Sequence, residues 1–313
     1  MGLQVIHGWS GLGEAQKHAA LAFGNFDGVH LGHQAVIADA AEAARQRGLP
    51  LAVSSFEPHP RRWFQPEAEP FRLMSLGQQA RALAALGVEL FYVMPFNADV
   101  AEMSDEGFAE QVLAKGLGVG HVAVGFDVTF GKGRSGDVAS LTRYGQRLGF
   151  SVSMTRQFGD AGLEKYSSSA VREALQAGHP DRAAHILGRA FAIEGEVVRG
   201  QQLGRKLGFP TANVPLGEYV IPRLGVYVTL TRLPDGRLVR GVANLGRNPT
   251  TGLVEPRLEV FLLDFDEDIY GQLIETELLA FLRPEMAFDG LEPLIAEMNR
   301  DTAAARAHFD RTG

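Results

Sequence analysis

The chain of 313 residues contains no cysteine, so disulfide bonds, thiolate catalysis and zinc or iron–sulfur sites built on cysteine are excluded. It also lacks any apolar run near the roughly 20 residues that cross a bilayer. Its first residues do not show the basic-then-apolar pattern of a secretory signal, and Ile6 stands where N-myristoylation needs Ser or Thr. Together these absences predict a cytoplasmic protein without a membrane partner.

Basic residues also do not outnumber acidic ones. Lys and Arg number 30 against 37 Asp and Glu, which gives a net charge of −7. Because phosphate neutralisation dominates affinity for nucleic acid, we expect no nucleic-acid partner. Any anionic substrate must then be held by local basic side chains and backbone amides. Hydrophobic residues make up 45% of the chain, enough for packed cores, and its length suits two domains while specifying no oligomeric state.

The first half of the chain alternates short apolar segments with helical ones. This alternation of strands and helices predicts an α/β domain with a parallel sheet, helices on both faces and ligands bound at the carboxyl ends of the strands. The predicted strands cover residues 19–26, 51–56, 90–96 and 121–126, and the predicted helices cover 34–48, 75–87 and 104–116.

Beyond about residue 188 the apolar residues alternate with a period near two. This pattern, broken by turns rich in Gly, Pro and Asn, predicts an antiparallel β-barrel domain followed by one helix. A helical connection over 175–189 joins the halves, and we expect domains at 1–186 and 187–313. The predicted strands cover 191–198, 225–230, 238–245, 257–265 and 273–282, and the last helix carries Leu291, Leu294, Ile295 and Met298 at helical spacing.

The segment GNFDGVHLGHQAVI, residues 24–37, puts two histidines where a strand gives way to a helix. His30 and His33 there are compatible with metal binding, helix capping or phosphate binding. The metal interpretation is weaker because no HExxH frame follows and the nearby carboxylate, Asp27, precedes the turn. A helix N-terminus carries unsatisfied N–H groups and partial positive charge, and Gly32 lets a nucleotide approach the backbone. The setting therefore favours phosphate.

The string HLGH in this setting resembles the HxGH signature of the nucleotidyltransferase superfamily. The longer string GNFDGVHLGHQ resembles the adenylyltransferase module of the bifunctional riboflavin kinase/FAD synthetase family. Three further segments resemble elements of that module in the same order: SFEPHP (55–60), GFDVTFGKGRSGD (125–137) and YSSSAVREAL (166–175). Ser169 replaces a usual Thr, Val128 a usual Phe, and Glu57 stands where some members have Asn.

A second glycine-rich segment, GQQLGRKLGFPTANV, covers residues 200–214. Its glycines allow tight turns and close phosphate approach, while Thr211 and Asn213 offer the oxygen ligands that suit Mg²⁺. The Gly-Lys-Ser/Thr ending of a P-loop is absent, and PTAN alone is also compatible with a plain turn. The string resembles the riboflavin kinase signature, and PRLGVYV (222–228), VANLGRNPT (242–250) and LEVFLLDFDEDIYG (258–271) resemble later segments of that module.

The resemblance implies a role for each matched residue. His30, His33 and Arg172 would be catalytic in transferring AMP from ATP to FMN, and Glu259 would be the general base of phosphoryl transfer to riboflavin. Mg²⁺, or Mn²⁺, would offset phosphate charge. The implied binding residues are Gly24, Phe26, Asp27, Gly32, His33, Ser168, Ser169, Arg172, Gly204, Lys206, Gly208, Thr211 and Asn213 for ATP and its phosphates, Asp127, Phe130 and Gly131 for the flavin, and Thr211 and Asn213 for the metal.

We therefore expect a bifunctional enzyme of flavin cofactor synthesis. The C-terminal domain would make FMN from riboflavin and ATP, and the N-terminal domain would make FAD and pyrophosphate from FMN and ATP. Two other interpretations are an adenylyltransferase for another phosphorylated metabolite and a non-catalytic flavin-binding or regulatory protein. For Glu259 taken alone, an outward, solvated side chain is also possible. The kinase-like second half argues against the first, and the intact set of site residues argues against the second.

Overall fold

A computed structural model describes residues 2–156, 159–160, 164–200, 207–247 and 256–312. Its contacts divide the chain into two compact units. The first unit comprises Met1–Ala68 and Leu76–Tyr166, and the second comprises Glu69–Ser75 and Ser167–Gly313. Among the helices of the described ranges, none has the length and apolar character to cross a membrane.

The first unit is built on a six-stranded parallel sheet, which confirms the α/β prediction. Its strands are β1 (Gln4–His7), β2 (Ala20–Ala22), β3 (Leu51–Glu57), β4 (Leu90–Pro95), β5 (His121–Gly125) and β6 (Ser151–Thr155). They lie in the order β1-β4-β3-β2-β5-β6, and neighbouring strands are parallel. The edge strands β1 and β6 were not predicted because their side chains are mostly not buried, which weakens the apolar signal.

Helices connect these strands. The first helix begins at Leu31 rather than at residue 34, because His30 caps it, and it ends before Gly48, which has a left-handed φ of 65°. The helices are α1 (Leu31–Arg47), α2 (Pro60–Phe64), α3 (Leu76–Ala85), α4 (Ala98–Glu102), α5 (Asp105–Gly107, continued by a π-type helix over Phe108–Gly116) and α6 (Val138–Leu148); the short hairpin strands β7 (Gly159–Asp160) and β8 (Glu164–Lys165) follow.

The topology brings three predicted motifs to one edge of this sheet. Strand β2 ends at Ala22, β3 at Glu57 and β5 at Gly125, and the segments GNFDGVHLGH, SFEPHP and GFDVTF include or directly follow these ends. Because β2 lies between β3 and β5 and pairs with both in parallel, the three carboxyl ends are adjacent. This edge is where open parallel sheets bind ligands.

The second unit contains a six-stranded antiparallel sheet. Its strands are β9 (Phe191–Glu196), β10 (Thr211–Pro215), β11 (Gly225–Arg232), β12 (Leu238–Gly246), β13 (Arg257–Leu262) and β14 (Leu273–Pro284), in the order β10-β13-β12-β11-β14-β9. Val198, just beyond β9, pairs with Asn213 of β10 at the other end of that order. The sheet therefore curls back on itself, as a barrel-type domain requires, and the TAN of the PTAN string lies in a strand rather than in a plain turn.

Within the described ranges, the helices of the second unit are α7 (Ser168–Ala177), α8 (Pro180–Leu187) and α9 (Leu291–Thr312). Helix α9 covers one side of the sheet, where Phe309 packs in a cluster with Val226 and Val228. Helix α7 is tied to the sheet through Arg223, whose backbone N–H donates to Leu175 O at 2.9 Å. The contacts of α7 and α8 therefore place both helices in the same unit as the antiparallel sheet. The domain boundary between residues 186 and 187 stays a prediction.

Candidate functional site

The turn after β2 has a backbone shape that most residues avoid. Phe26 and Val29 have φ values of 50° and 42°, and Gly28 has a φ of 90°. A left-handed backbone costs about 1–3 kcal/mol at a residue other than glycine, and it persists only where the surroundings fix it. Phe26 and Val29 are each 1% exposed, so the burial of their side chains supplies that constraint.

Two polar side chains outside the motif hold this turn by its carbonyl groups. Gln79 Nε2 donates to Asn25 O at 3.0 Å and to Phe26 O at 3.1 Å. Ser55 Oγ also donates to Asn25 O, at 3.0 Å. Gln79 is only 2% exposed, although a Gln in the predicted helix 75–87 would be expected on the surface. The sequence offers no local signal for this contact between residues so far apart.

His30 takes one of the roles that the sequence offered as alternatives, that of a helix cap. His30 Nδ1 accepts from the His33 backbone N–H at 3.2 Å, so His30 is the cap residue of α1. A ring nitrogen that accepts carries no proton, so the neutral ring is protonated on Nε2 and can donate from that side. The His33 ring stacks on His30 with centroids 3.6 Å apart, and the Phe26 ring lies 5.0 Å away. The nitrogen atom that caps the helix is therefore distinct from the nitrogen atom that can donate to a ligand.

Other residues of the motif are closely packed or buried. A Cβ atom on Gly32 would lie 2.8 Å from Tyr166 O and 3.1 Å from the His30 ring, so only glycine fits there. Asp27 is 6% exposed. Asn25 Oδ1 is buried and accepts no hydrogen bond from the described part of the chain. A buried acceptor with no donor among the described residues is a candidate for a substrate contact, and no sequence pattern singles this residue out.

The predicted flavin-binding residues in the loop after β5 differ in how exposed they are. Asp127 is exposed. Phe130 is 6% exposed, and its ring packs edge-on against Phe23 with centroids 6.1 Å apart. Gly131 has a φ of 75°, and a Cβ there would lie 2.5 Å from the backbone of α5. Packing within the unit accounts for the residue types at positions 130 and 131. Phe126, which was not predicted as a flavin-binding residue, is 38% exposed.

The predicted second phosphate-binding segment forms the start of α7. Ser167 is the cap residue, with Oγ accepting from the backbone N–H three residues on at 3.2 Å. Ser168 is half-buried and Ser169 exposed in the first turn. Arg172 is half-buried, and its Nε donates to Phe71 O at 2.6 Å. Phe71 belongs to the segment Glu69–Ser75, to which the sequence patterns assigned no role.

A row of polar side chains crosses three neighbouring strands of the second unit. Asn213 on β10 and Asn244 on β12 are both in register with Glu259 on β13. Side chains in register lie on one face of a sheet, about 5 Å apart. Asn213 is 6% exposed, and its Nδ2 donates to Thr211 O at 3.3 Å. Glu259 is therefore flanked by two amides and lines a cavity rather than the outer surface.

Two cavities flank this row, and Thr211 and Asn213 line both of them. The first, which we name the apolar cavity, has a volume of about 300 Å³ and contains Glu259. The second, the acidic cavity, has a volume of about 310 Å³. The apolar cavity is lined by Leu207, Phe209, Phe261, Met286, Phe288, Leu294 and Met298, and the acidic cavity includes Asp266, Glu267, Asp268 and Tyr270.

The environment of Glu259 favours its protonated form. Burial raises the pKa of the Glu259 carboxyl, the positive charge of Arg257 lowers it in part, and the negative charge of Glu285 adds to the rise. Arg283 lines the same cavity but is bound to Asp301, with nitrogen–oxygen distances of 3.0 and 2.7 Å. A carboxylate with a raised pKa is a stronger proton acceptor, which suits a general base.

The residues predicted to hold the metal have suitable donor atoms. Thr211 and Asn213 offer neutral oxygens, which Mg²⁺ accepts together with the oxygens of substrate phosphates. A Cβ on Gly200 would lie 2.6 Å from Asn213 Oδ1, so the backbone after β9 also closes on this point. No cluster of three or more His, Asp or Glu side chains that could hold a metal occurs in the described ranges. Gly208 has a φ of 87°, while Gly204 and Lys206 lie outside the described residues.

Family models match both halves of the chain. The FAD synthetase model matches residues 12–170, and the riboflavin kinase model matches residues 187–309. Arg172 and the rest of α7 beyond residue 170 fall between the two matched stretches.

Curated relatives match the chain over nearly its whole length. A bifunctional riboflavin kinase/FMN adenylyltransferase of Escherichia coli (strain K12) is 40% identical over 99% of each chain. Proteins of the same description from Pseudomonas fluorescens and Bacillus subtilis (strain 168) are 41% and 36% identical, over 97% and 98% of each chain. A crystal structure described as a macrolide-efflux protein from Streptococcus pneumoniae superposes with a TM-score of 0.85 at 29% identity, covering 98% of this chain and 99% of that one. The chain belongs to the bifunctional riboflavin kinase/FMN adenylyltransferase family.

Proposed function

We propose that this chain phosphorylates riboflavin to FMN in its second unit and uses the histidine turn of its first unit to adenylylate FMN to FAD, with ATP as the donor in both reactions. The single observation that carries the kinase assignment is the registered pair of Asn213 and Glu259 at the wall between two cavities. One cavity can hold the acceptor and the other the donor, with the reacting atoms meeting at that wall.

The lining of the two cavities supports a division between the substrates. Aromatic and thioether side chains such as Phe209, Phe261 and Met286 suit the flat isoalloxazine ring, so we assign riboflavin to the apolar cavity. ATP is then assigned to the second cavity, with its terminal phosphate at the neutral side chains of Thr211 and Asn213 rather than beside the carboxylates of that cavity. Glu259 accepts the proton of the riboflavin 5′-hydroxyl as that oxygen bonds to the terminal phosphorus, and the bond from this phosphorus to ADP breaks.

A divalent cation has a place in this arrangement. Thr211 and Asn213 would hold Mg²⁺, with Mn²⁺ as an alternative, through their side-chain oxygens. When bound, the ion neutralises charge on the transferring phosphoryl group. The protein's own part is to orient the hydroxyl and the phosphate towards each other, which is the larger share of catalysis in phosphoryl transfer.

Adenylyl transfer needs no side-chain nucleophile. An ionised phosphate oxygen of FMN attacks the α-phosphorus of ATP, and pyrophosphate leaves. Nε2–H of His30, the ring of His33 and the N-terminus of α1 would stabilise the charge that develops on the phosphates. Ser168, Ser169 and Arg172 would bind the leaving phosphates, as the family resemblance implies. Asp127, Phe130 and Gly131 remain the proposed flavin side of this site.

We further propose that the protein works in the cytoplasm, where ATP is available, and without a nucleic-acid partner, since its net charge is −7.

Incubation of the purified chain with riboflavin, ATP and Mg²⁺, followed by chromatography, tests the function. FMN should form first and FAD later. Formation of neither product would refute the proposal. Adenylylation of another phosphorylated metabolite but not of FMN would favour the alternative adenylyltransferase, and flavin binding without turnover would favour a binding protein.

A further inference from the structure

The segment Glu69–Ser75, which we name the strap, comes from the first half of the chain but belongs to the second unit. Its backbone pairs with the segment between β10 and β11. The N–H groups of Phe71 and Arg72 donate to Glu218 O at 3.1 and 2.8 Å, and Val220 N–H donates to Arg72 O at 2.8 Å. Arg72 and Tyr219 form a parallel bridge. The strap is therefore held as a short extra strand on the antiparallel domain.

Side chains fix the strap as well. At its far end, Ser75 Oγ donates to Glu194 Oε1 at 2.6 Å, and the backbone N–H of Glu194 donates to the Tyr219 hydroxyl at 3.2 Å. Near its start, Phe71 is only 3% exposed. Backbone pairing, a buried ring and a polar anchor together leave the strap little freedom to move against β9 and the β10–β11 connection.

Arg172 is bound to this fixed segment by two different contacts with one residue. Its Nε donates to Phe71 O at 2.6 Å, and its guanidinium carbon lies 5.6 Å from the centre of the Phe71 ring. The guanidinium is a rigid, planar fork of five donors, so fixing Nε and one face sets the direction of the whole group. The strap thus determines where the remaining guanidinium nitrogens point.

We propose that Phe71 is a positioning residue for adenylyl transfer, acting through Arg172. The inference rests on the proposed function, in which Arg172 binds the phosphates of ATP. An arginine side chain loses substantial rotamer entropy when it is immobilised by a ligand. Because Phe71 holds the guanidinium before ATP arrives, that entropy is already lost, and ATP binding is tighter. The strap, which lies outside every recognised motif, would therefore be part of the apparatus for making FAD.

The variant Phe71→Leu tests this role in the full-length chain. Leu keeps an apolar side chain in the buried position and leaves the backbone carbonyl in place, but it removes the ring beneath the guanidinium. We expect KM for ATP in FMN adenylylation to rise about 2- to 10-fold, the loss expected for one cation–π contact, with a smaller change in kcat. Riboflavin phosphorylation by the same preparation should be unchanged.

Phe309→Leu is a matched control. Phe309 is also buried in the second unit, and it also lies beneath an arginine, with the Arg240 guanidinium 5.0 Å from its ring. It should lower the thermal midpoint to a similar extent without raising KM for ATP. If Phe71→Leu does not fold, Phe71→Met fills the site with a more adaptable side chain and should show the same rise in KM.

A double-mutant cycle with Arg172→Lys separates positioning from general destabilisation, because lysine lacks both the Nε donor and the planar face. In the Arg172→Lys background, Phe71→Leu should have no further effect on KM for ATP. Additive effects, or equal effects of Phe71→Leu and Phe309→Leu, would overturn the inference while leaving the proposed function intact. Wild-type adenylylation by Arg172→Lys would also overturn it. A wild-type chain that makes no FAD would overturn the proposed function and this inference together.

Discussion

Replacing Glu259 with Gln removes the proposed proton acceptor while keeping the size and shape of the side chain. General-base catalysis contributes about 10²–10⁴-fold to a rate, which corresponds to about 2.7–5.5 kcal/mol of activation free energy. We therefore expect kcat for riboflavin phosphorylation to fall by that factor. KM for riboflavin should change little, because Asn213, Asn244 and the apolar lining remain.

The same substitution should make the protein more stable at neutral pH. The pKa of Glu259 is raised in the folded state, chiefly by burial, so between the unfolded and folded pKa values the folded chain binds more protons. Stability then falls as pH rises through that window and stays lower above it. Gln carries no charge, so Glu259→Gln should raise the thermal midpoint at pH 7 and have no such effect at a pH below the unfolded pKa. Glu259→Gln would thus lower the kinase activity while raising the stability of the folded chain.

The assay is chromatographic separation of riboflavin, FMN and FAD across a pH series, with Glu285→Gln as the matched control. Glu285 lines the same cavity, and its negative charge contributes to the raised pKa of Glu259. Glu285→Gln should leave the kinase active and move the acidic limb of its pH profile to lower pH. FMN supplied to Glu259→Gln should still become FAD. A near-normal phosphorylation rate in Glu259→Gln would refute the general-base assignment.

Three further predictions address the glycine and histidine positions. His33→Ala should stop FAD formation while FMN accumulates, and loss of both products on the same chromatogram would contradict independent sites. Gly32→Ala forces a Cβ to within 2.8 Å of Tyr166 O, so the free energy of unfolding measured in urea should fall by about 1–3 kcal/mol. An unchanged urea midpoint would mean that the start of α1 shifts without cost. Gly200→Ala places a Cβ 2.6 Å from Asn213 Oδ1, so KM for ATP in riboflavin phosphorylation should rise, with adenylylation of added FMN as the unaffected internal reference.

The parts of the fold that depend on local patterns were predictable. Strands β3, β4 and β5 are buried almost throughout, so they form continuous apolar runs, and β13 and the first half of β14 alternate as half-buried strands do. Strand order is not local information. The adjacency of β2 to both β3 and β5, which gathers three motifs at one edge, had to come from the structure.

The candidate site was predictable where a motif lies on one short segment. His30, Gly32 and His33 share a turn, and Asn213 and Glu259 belong to recognisable strings. Gln79 was missed because its role depends on contacts with a turn more than 50 residues away. The contact of Phe71 with Arg172 was missed for the same reason, since 101 positions separate the two residues. Contacts of that kind leave no periodicity or spacing in the sequence.

The cap bond at His30 Nδ1, together with the proposed phosphate contact at Nε2, limits the residue types that this position allows. Asn, Ser or Asp would cap α1 well, but none would extend a ring N–H towards a phosphate on the far side. Lys or Arg would reach the phosphate, but neither can accept the His33 N–H, because both side chains are donors only. A histidine that accepts at Nδ1 and donates at Nε2 would therefore serve both the helix and the proposed phosphate contact.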